Sequence, residues 1–98
     1  MINKNIRPED VLPENENYTV IDGIKVRKGT IAAVLQNAVI LSSSLASNSE
    51  KEAAKKTITE LAPGIVVLGM HEHVTWKNPS IQKIIEDAIK KLSKITPD

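Results

Sequence analysis

Residues 30–49 read TIAAVLQNAVILSSSLASNS, a stretch without a single charged side chain. Ile31, Val34, Leu35, Ala38, Val39, Ser42 and Leu45 recur at helical spacing, and Thr30, after Gly29, is a natural N-cap. Ala32, Ala33, Ile40 and Leu41 fill much of the opposite side. The pattern predicts a helix over 30–47. A helix that is apolar nearly all round is expected to be covered on every side. Its cover must come from the rest of the domain or from a partner. The Ile31/Val34/Leu35/Ala38 stripe is expected in the core, and Ala33, Ile40 and Leu41 are expected to meet a partner. Gln36, Asn37 and the serines argue against a lipid environment.

Upstream lies Tyr18-Thr19-Val20-Ile21-Asp22-Gly23-Ile24-Lys25-Val26-Arg27-Lys28. Asp-Gly between β-rich flanks predicts a two-residue hairpin turn, because a type I′ turn needs positive φ twice. Ile24 and Val26 alternate with Lys25 and Arg27, which gives one apolar and one basic face. Residues 1–17 hold Pro8, Pro13 and several carboxylates, and read as a flexible polar arm with one helical turn near Pro8–Leu12. Residues 18–98 then form a single α+β domain.

Downstream, Ser49 with Glu52 has capping-box spacing and predicts a helix over 50–61. Ala54, Ile58 and Leu61 face inward on it, and Glu52–Lys56 and Lys56–Glu60 form i,i+4 pairs. Pro63-Gly64 is expected to end or kink it. Residues 65–76 are ambiguous. Ile65–Leu68 fits a buried strand, or a short second helix stopped by Gly69, and His71–Trp76 alternates like a strand added to the hairpin. The last element is the clearest. Asn78 caps a helix over 79–95 that starts with Pro79. Ile81, Ile84, Ile85, Ala88, Ile89, Leu92 and Ile95 make one stripe, with charged residues around it. The expected fold is therefore α+β and helix-dominated: an N-terminal β-hairpin forming a small antiparallel sheet, and three main helices.

Composition narrows the function classes. With 98 residues and no cysteine, the chain supports a core but no disulfide or thiolate chemistry. That fits a reducing compartment, and the expectation is a cytoplasmic protein. Lys4 and Arg7 precede no apolar run, so no secretory leader is expected, and no stretch reaches membrane-spanning length. Aromatic residues are 2% of the chain, Tyr18 and Trp76, too sparse for the stacking platforms of RNA binders. Thirteen basic against twelve acidic residues give +1, which makes nucleic acid an unfavoured partner.

Four groups of residues are candidates for chemistry. His71 and His73 would share one face of a strand, but a zinc site needs further ligands and the chain has no third histidine. Edge-strand histidines, solvated or near Trp76, are the preferred reading, so no metal or cofactor is expected. Lys25, Arg27 and Lys28 lead into Thr30 at a helix start, where free N–H groups attract anions. The order Lys-Gly-Thr departs from a phosphate loop. Ser42, Ser43 and Ser44 lack a nucleophile-elbow glycine pattern, and Glu14, Glu16 and Asp22 sit on poor platforms for acid–base work. Catalysis is not the expected function. Trp76 is a candidate interface anchor. The leading expectation is a non-catalytic, self-associating protein–protein interaction module. The alternative is anion or nucleic-acid binding through Lys25, Arg27 and Lys28.

Overall fold

A computed structural model describes residues 6–7 and 16–95. Strands β1 (Tyr18–Ile21) and β2 (Ile24–Arg27) pair antiparallel, with Tyr18 opposite Arg27 and Ile21 opposite Ile24. Asp22 and Gly23 hold φ of 50° and 80°, the two positive values that a type I′ turn requires. The register puts Thr19, Ile21, Ile24 and Val26 on the inner face and Tyr18, Val20, Lys25 and Arg27 on the outer one. Val26 is buried. The amide of Lys28 donates to the Asn17 carbonyl at 2.8 Å and carries the pairing one step further.

Three helices follow: α1 (Thr30–Ser42), α2 (Asn48–Val67) and α3 (Pro79–Ile95). The α+β, helix-dominated architecture is as the sequence predicts, but the enclosed helix is a different one. The element at the centre is α2, which packs against α1, α3 and β2. It buries Ala54, Ile58, Ala62, Gly64 and Ile65. Together with Val34 of α1 and Ile81, Ile85 and Ala88 of α3, Ile58, Ala62 and Ile65 form the core. The charged residues of α2 sit on its remaining face, so a helix can be central without being apolar all round.

Local chemistry explains where the boundaries differ from the sequence reading. α1 stops at Ser42, not at 47, because Ser43 is extended and its hydroxyl accepts the Leu45 amide at 3.1 Å. The capping box that opens α2 uses Ser47 and Glu50, two residues earlier than expected. Ser47 Oγ accepts the Glu50 amide at 3.1 Å, and the Glu50 carboxylate accepts the Ser47 amide at 2.7 Å. Ser47-x-x-Glu50 and Ser49-x-x-Glu52 both have the required spacing. Glu52 lies 4.0 Å from Lys55, one residue short of the expected Lys56.

Pro63 does not end α2, which continues to Val67. Proline removes one ladder bond, but Ala62, Gly64 and Ile65 around it are buried, and their packing offsets the loss. Gly69, at φ 82°, is the stop. No strand follows. Met70–Glu72 is a 3-10 turn, and 73–78 run irregularly into α3, so the hairpin gains no third strand from His71–Trp76. Asn78 caps α3 as predicted, its Oδ1 accepting the Ser80 and Ile81 amides at 2.9 and 3.4 Å. Ile81, Ile85 and Ala88 are buried as its stripe requires. The side chain of Ile95 lies outside the described residues, as do the expected turn at Pro8–Leu12 and most of the 1–17 arm.

Candidate interaction surface

α1 has one packed edge and one open one. Only Thr30 and Val34 are buried on it. Ala38 and Leu41 pack against the core from the flanks of Val34. Asn37, half-buried, turns its amide back to the Ala33 carbonyl at 2.9 Å. Going round the helix at about 100° per residue, the next apolar row is Ile31, Leu35 and Val39. These three are 40%, 48% and 70% exposed. Ile31 and Leu35, expected in the core, instead begin an outward ridge at i, i+4, i+8. Among the expected partner-facing residues, Ile40 is exposed, Ala33 is half-buried, and Leu41 lies against the core.

The reason is geometric. α1 has α2 as its one major neighbour, so a single narrow seam centred on Val34 is covered. Nothing in the residue types marks that seam, because no charge labels the outside. The signal that was available is the absence of charge on a helix at the edge of a three-helix arrangement.

The outer hairpin face adds Tyr18 and Val20, also exposed. Lys25 Nζ stands 4.2 Å from the centroid of the Tyr18 ring. Thr30 is buried, and its hydroxyl donates to the Arg27 carbonyl at 2.8 Å rather than capping the helix. The N-cap is Gly29, at φ 84°, with no side-chain hydrogen bond. A hollow of about 170 Å³ beside Lys25, Arg27 and Thr30 is also lined by the Glu60 side of α2. Of the three basic residues, Lys25 and Arg27 line this hollow together with Glu60, and Lys28 does not.

The segment 70–76 does not bring His71 and His73 to one strand face. His71 is inside the 3-10 turn, half-buried, and His73 ends it, exposed. Among the described residues no three His, Asp or Glu side chains are grouped as a metal site. Trp76 is half-buried against the core, and its amide donates to Gln82 Oε1 at 2.9 Å. A groove of about 320 Å³ runs between the hairpin, α2 and α3, floored by Ile24, Ala62, Ile84 and Ala88. Its charged residues, Asp87 and Lys91, both lie on α3. Two of the candidate serines hold hydrogen bonds: Ser42 accepts the Asn78 side-chain amide at 3.2 Å, and Ser43 accepts the Leu45 amide at 3.1 Å.

Among the described residues no helix is long and apolar enough to cross a membrane. No protein-family model, no curated protein and no solved structure matches this chain.

Proposed function

We propose that this protein is a non-catalytic interaction module that self-associates through the outward side of α1. The observation that carries this is the Ile31–Leu35–Val39 ridge, three large apolar side chains on a helix without charge. Scattered exposed hydrophobic residues are ordinary, but a contiguous row on one element marks an interaction site. A chargeless surface also meets a copy of itself without bringing like charges together, as a symmetric contact requires.

Light scattering coupled to size exclusion tests this. The mass is expected to rise from 10.7 kDa toward twice that value as concentration rises. Leu35→Glu, which puts a charge in the middle of the ridge, is expected to hold it at the monomer. A wild-type monomer at high micromolar concentration would falsify the proposal.

The second reading is anion binding by Lys25, Arg27 and Lys28 at the start of α1. It is favoured by a first helical turn with neither a side-chain cap nor an acidic residue. It is opposed by Glu60 in the same hollow and by the Thr30 hydroxyl being engaged. Binding of inorganic phosphate or a short oligonucleotide that survives Arg27→Ala and Lys28→Ala would exclude this face as the site.

A further inference from the structure

We infer, building on the self-association proposed above, that the partner of α1 is α1 of a second copy, packed antiparallel about a twofold axis beside Leu35. Three features lead there. The first is the symmetry of the ridge. Ile31 and Val39 stand four residues either side of Leu35. A twofold axis at Leu35 sets Ile31 against Val39 of the second copy, and Leu35 against its own equivalent. Every member of the ridge then has an apolar partner, and the contact closes at two copies.

The second feature is charge, which chooses antiparallel over parallel. α1 is entered through Arg27 and Lys28, and its first turn holds no acid. Its last turn holds no base, and residues 43–49 carry no charge before Glu50. A parallel pair would set two basic entries and two positive helix ends side by side. The antiparallel pair sets each positive end beside the carbonyl end of the other helix.

The third is shape. Residues at i, i+4 and i+8 form one of the surface ridges through which helices pack, at a crossing angle of about 50° in magnitude. Ala32 is a small, exposed residue beside this ridge, and it lets the second backbone approach. A helix of 13 residues is only about 20 Å long. The contact is therefore smaller than the roughly 800 Å² per partner of a standard interface, and the dimer should be weak and concentration-dependent.

The chain has no cysteine, so single cysteines report contacts without background. Ile31→Cys, Leu35→Cys and Val39→Cys would each be made in the full chain, checked for wild-type helicity by circular dichroism, and oxidised at dimer-forming concentration. A disulfide needs Cα atoms within about 7 Å. In the antiparallel pair Leu35→Cys cross-links to itself. Ile31→Cys and Val39→Cys cross-link poorly alone, since their own equivalents lie about 12 Å along the helix. Mixed together, those two variants should give a heterodimer severalfold above either homodimer. Efficient self-cross-linking of both Ile31→Cys and Val39→Cys would show a parallel pair and overturn this inference, leaving self-association intact. A dimer by light scattering with no cross-link in any combination would move the interface elsewhere and also overturn it. A monomer throughout would overturn both. Should Leu35→Cys lose helicity, the mixed Ile31/Val39 experiment decides alone.

Discussion

Gly64, about one turn before the end of α2, faces Val26 of β2 with room for one methyl group. A Cβ built at Gly64 would meet both Val26 methyl groups and Thr30 Cγ2 at 3.7 Å, ordinary van der Waals distance. The glycine is buried, and it is not among the residues with positive φ. Neither conformation nor space therefore requires it. Gly64→Ala should stabilise the fold by about 0.5–1 kcal/mol, through helix propensity and a less disordered unfolded chain. Urea denaturation should show a higher midpoint at unchanged slope. Gly64→Ile, which overfills the same gap, should shift the midpoint the other way. A destabilised alanine variant would mean that β2 lies closer to α2 than described.

How much of this was legible in the sequence depends on how each residue's surroundings are encoded. The turn at Asp22-Gly23, the cap at Asn78 and the α3 stripe were readable because local chemistry fixes them: positive φ, a side-chain acceptor, a strong polar–apolar division. Which side of α1 is packed is not readable, for the opposite reason. With no charge to mark an outer face, Ile31 and Val34 look equivalent, and only the position of α2 separates them. Pro63 reads locally as a helix end, and the packing of Ala62 and Ile65, which no local pattern shows, carries the helix through it. His71 and His73 alternate like a strand, yet Gly69 turns the chain sharply enough that a 3-10 turn forms instead. The basic cluster was legible as a list of residues. Glu60 beside it, more than thirty positions away in sequence, was not.

The contrast between core and ridge predicts a contrast in mutational cost. Ile65 is fully buried at the meeting of α2 with its neighbours, and Leu35 is nearly half exposed. Ile65→Ala should cost about 2–5 kcal/mol, from lost burial plus the cavity it leaves. For a domain of this size that is a large share of the total stability. Leu35→Ala should cost under about 1 kcal/mol in a dilute, monomeric sample. Guanidinium melts of the two variants at low concentration check the ordering, and equal costs would place Leu35 in the core after all.

The Ser47–Glu50 box makes the start of α2 sensitive to acid. Two hydrogen bonds from Ser47, from its backbone first and then its side chain, hold the Glu50 carboxyl below its ordinary value of 4.5. A carboxyl whose folded pKa is depressed stabilises the fold above its unfolded pKa. That contribution is lost as pH falls through the lowered folded value. The protection of the residue 48–51 amides against exchange, measured relative to their intrinsic rates, should therefore fall on acidification below the usual carboxylate range. Ser47→Ala should abolish this pH dependence and cost about 0.5–2 kcal/mol at neutral pH. An NMR titration of Glu50 that gives an ordinary value would remove the basis for the prediction.

Salt separates the two functional readings most cheaply. If the α1 ridge joins two copies, the contact is apolar side chain against apolar side chain, and added salt barely touches it. The charges at its ends, Arg27 and Lys28 beside a helix terminus, contribute about 0.3–1 kcal/mol and are screened. Raising ionic strength from about 0.05 M to about 0.5 M should therefore change the dimerisation constant by less than about fivefold. Anion binding at Lys25, Arg27 and Lys28 would behave differently, because each phosphate contact releases counterions and the affinity falls steeply. Sedimentation equilibrium across that salt range gives the first quantity, and titration with an oligonucleotide gives the second. A dimer that weakens more than about tenfold would be held by its charged ends, and the apolar ridge would then have to be covered by something other than its own copy.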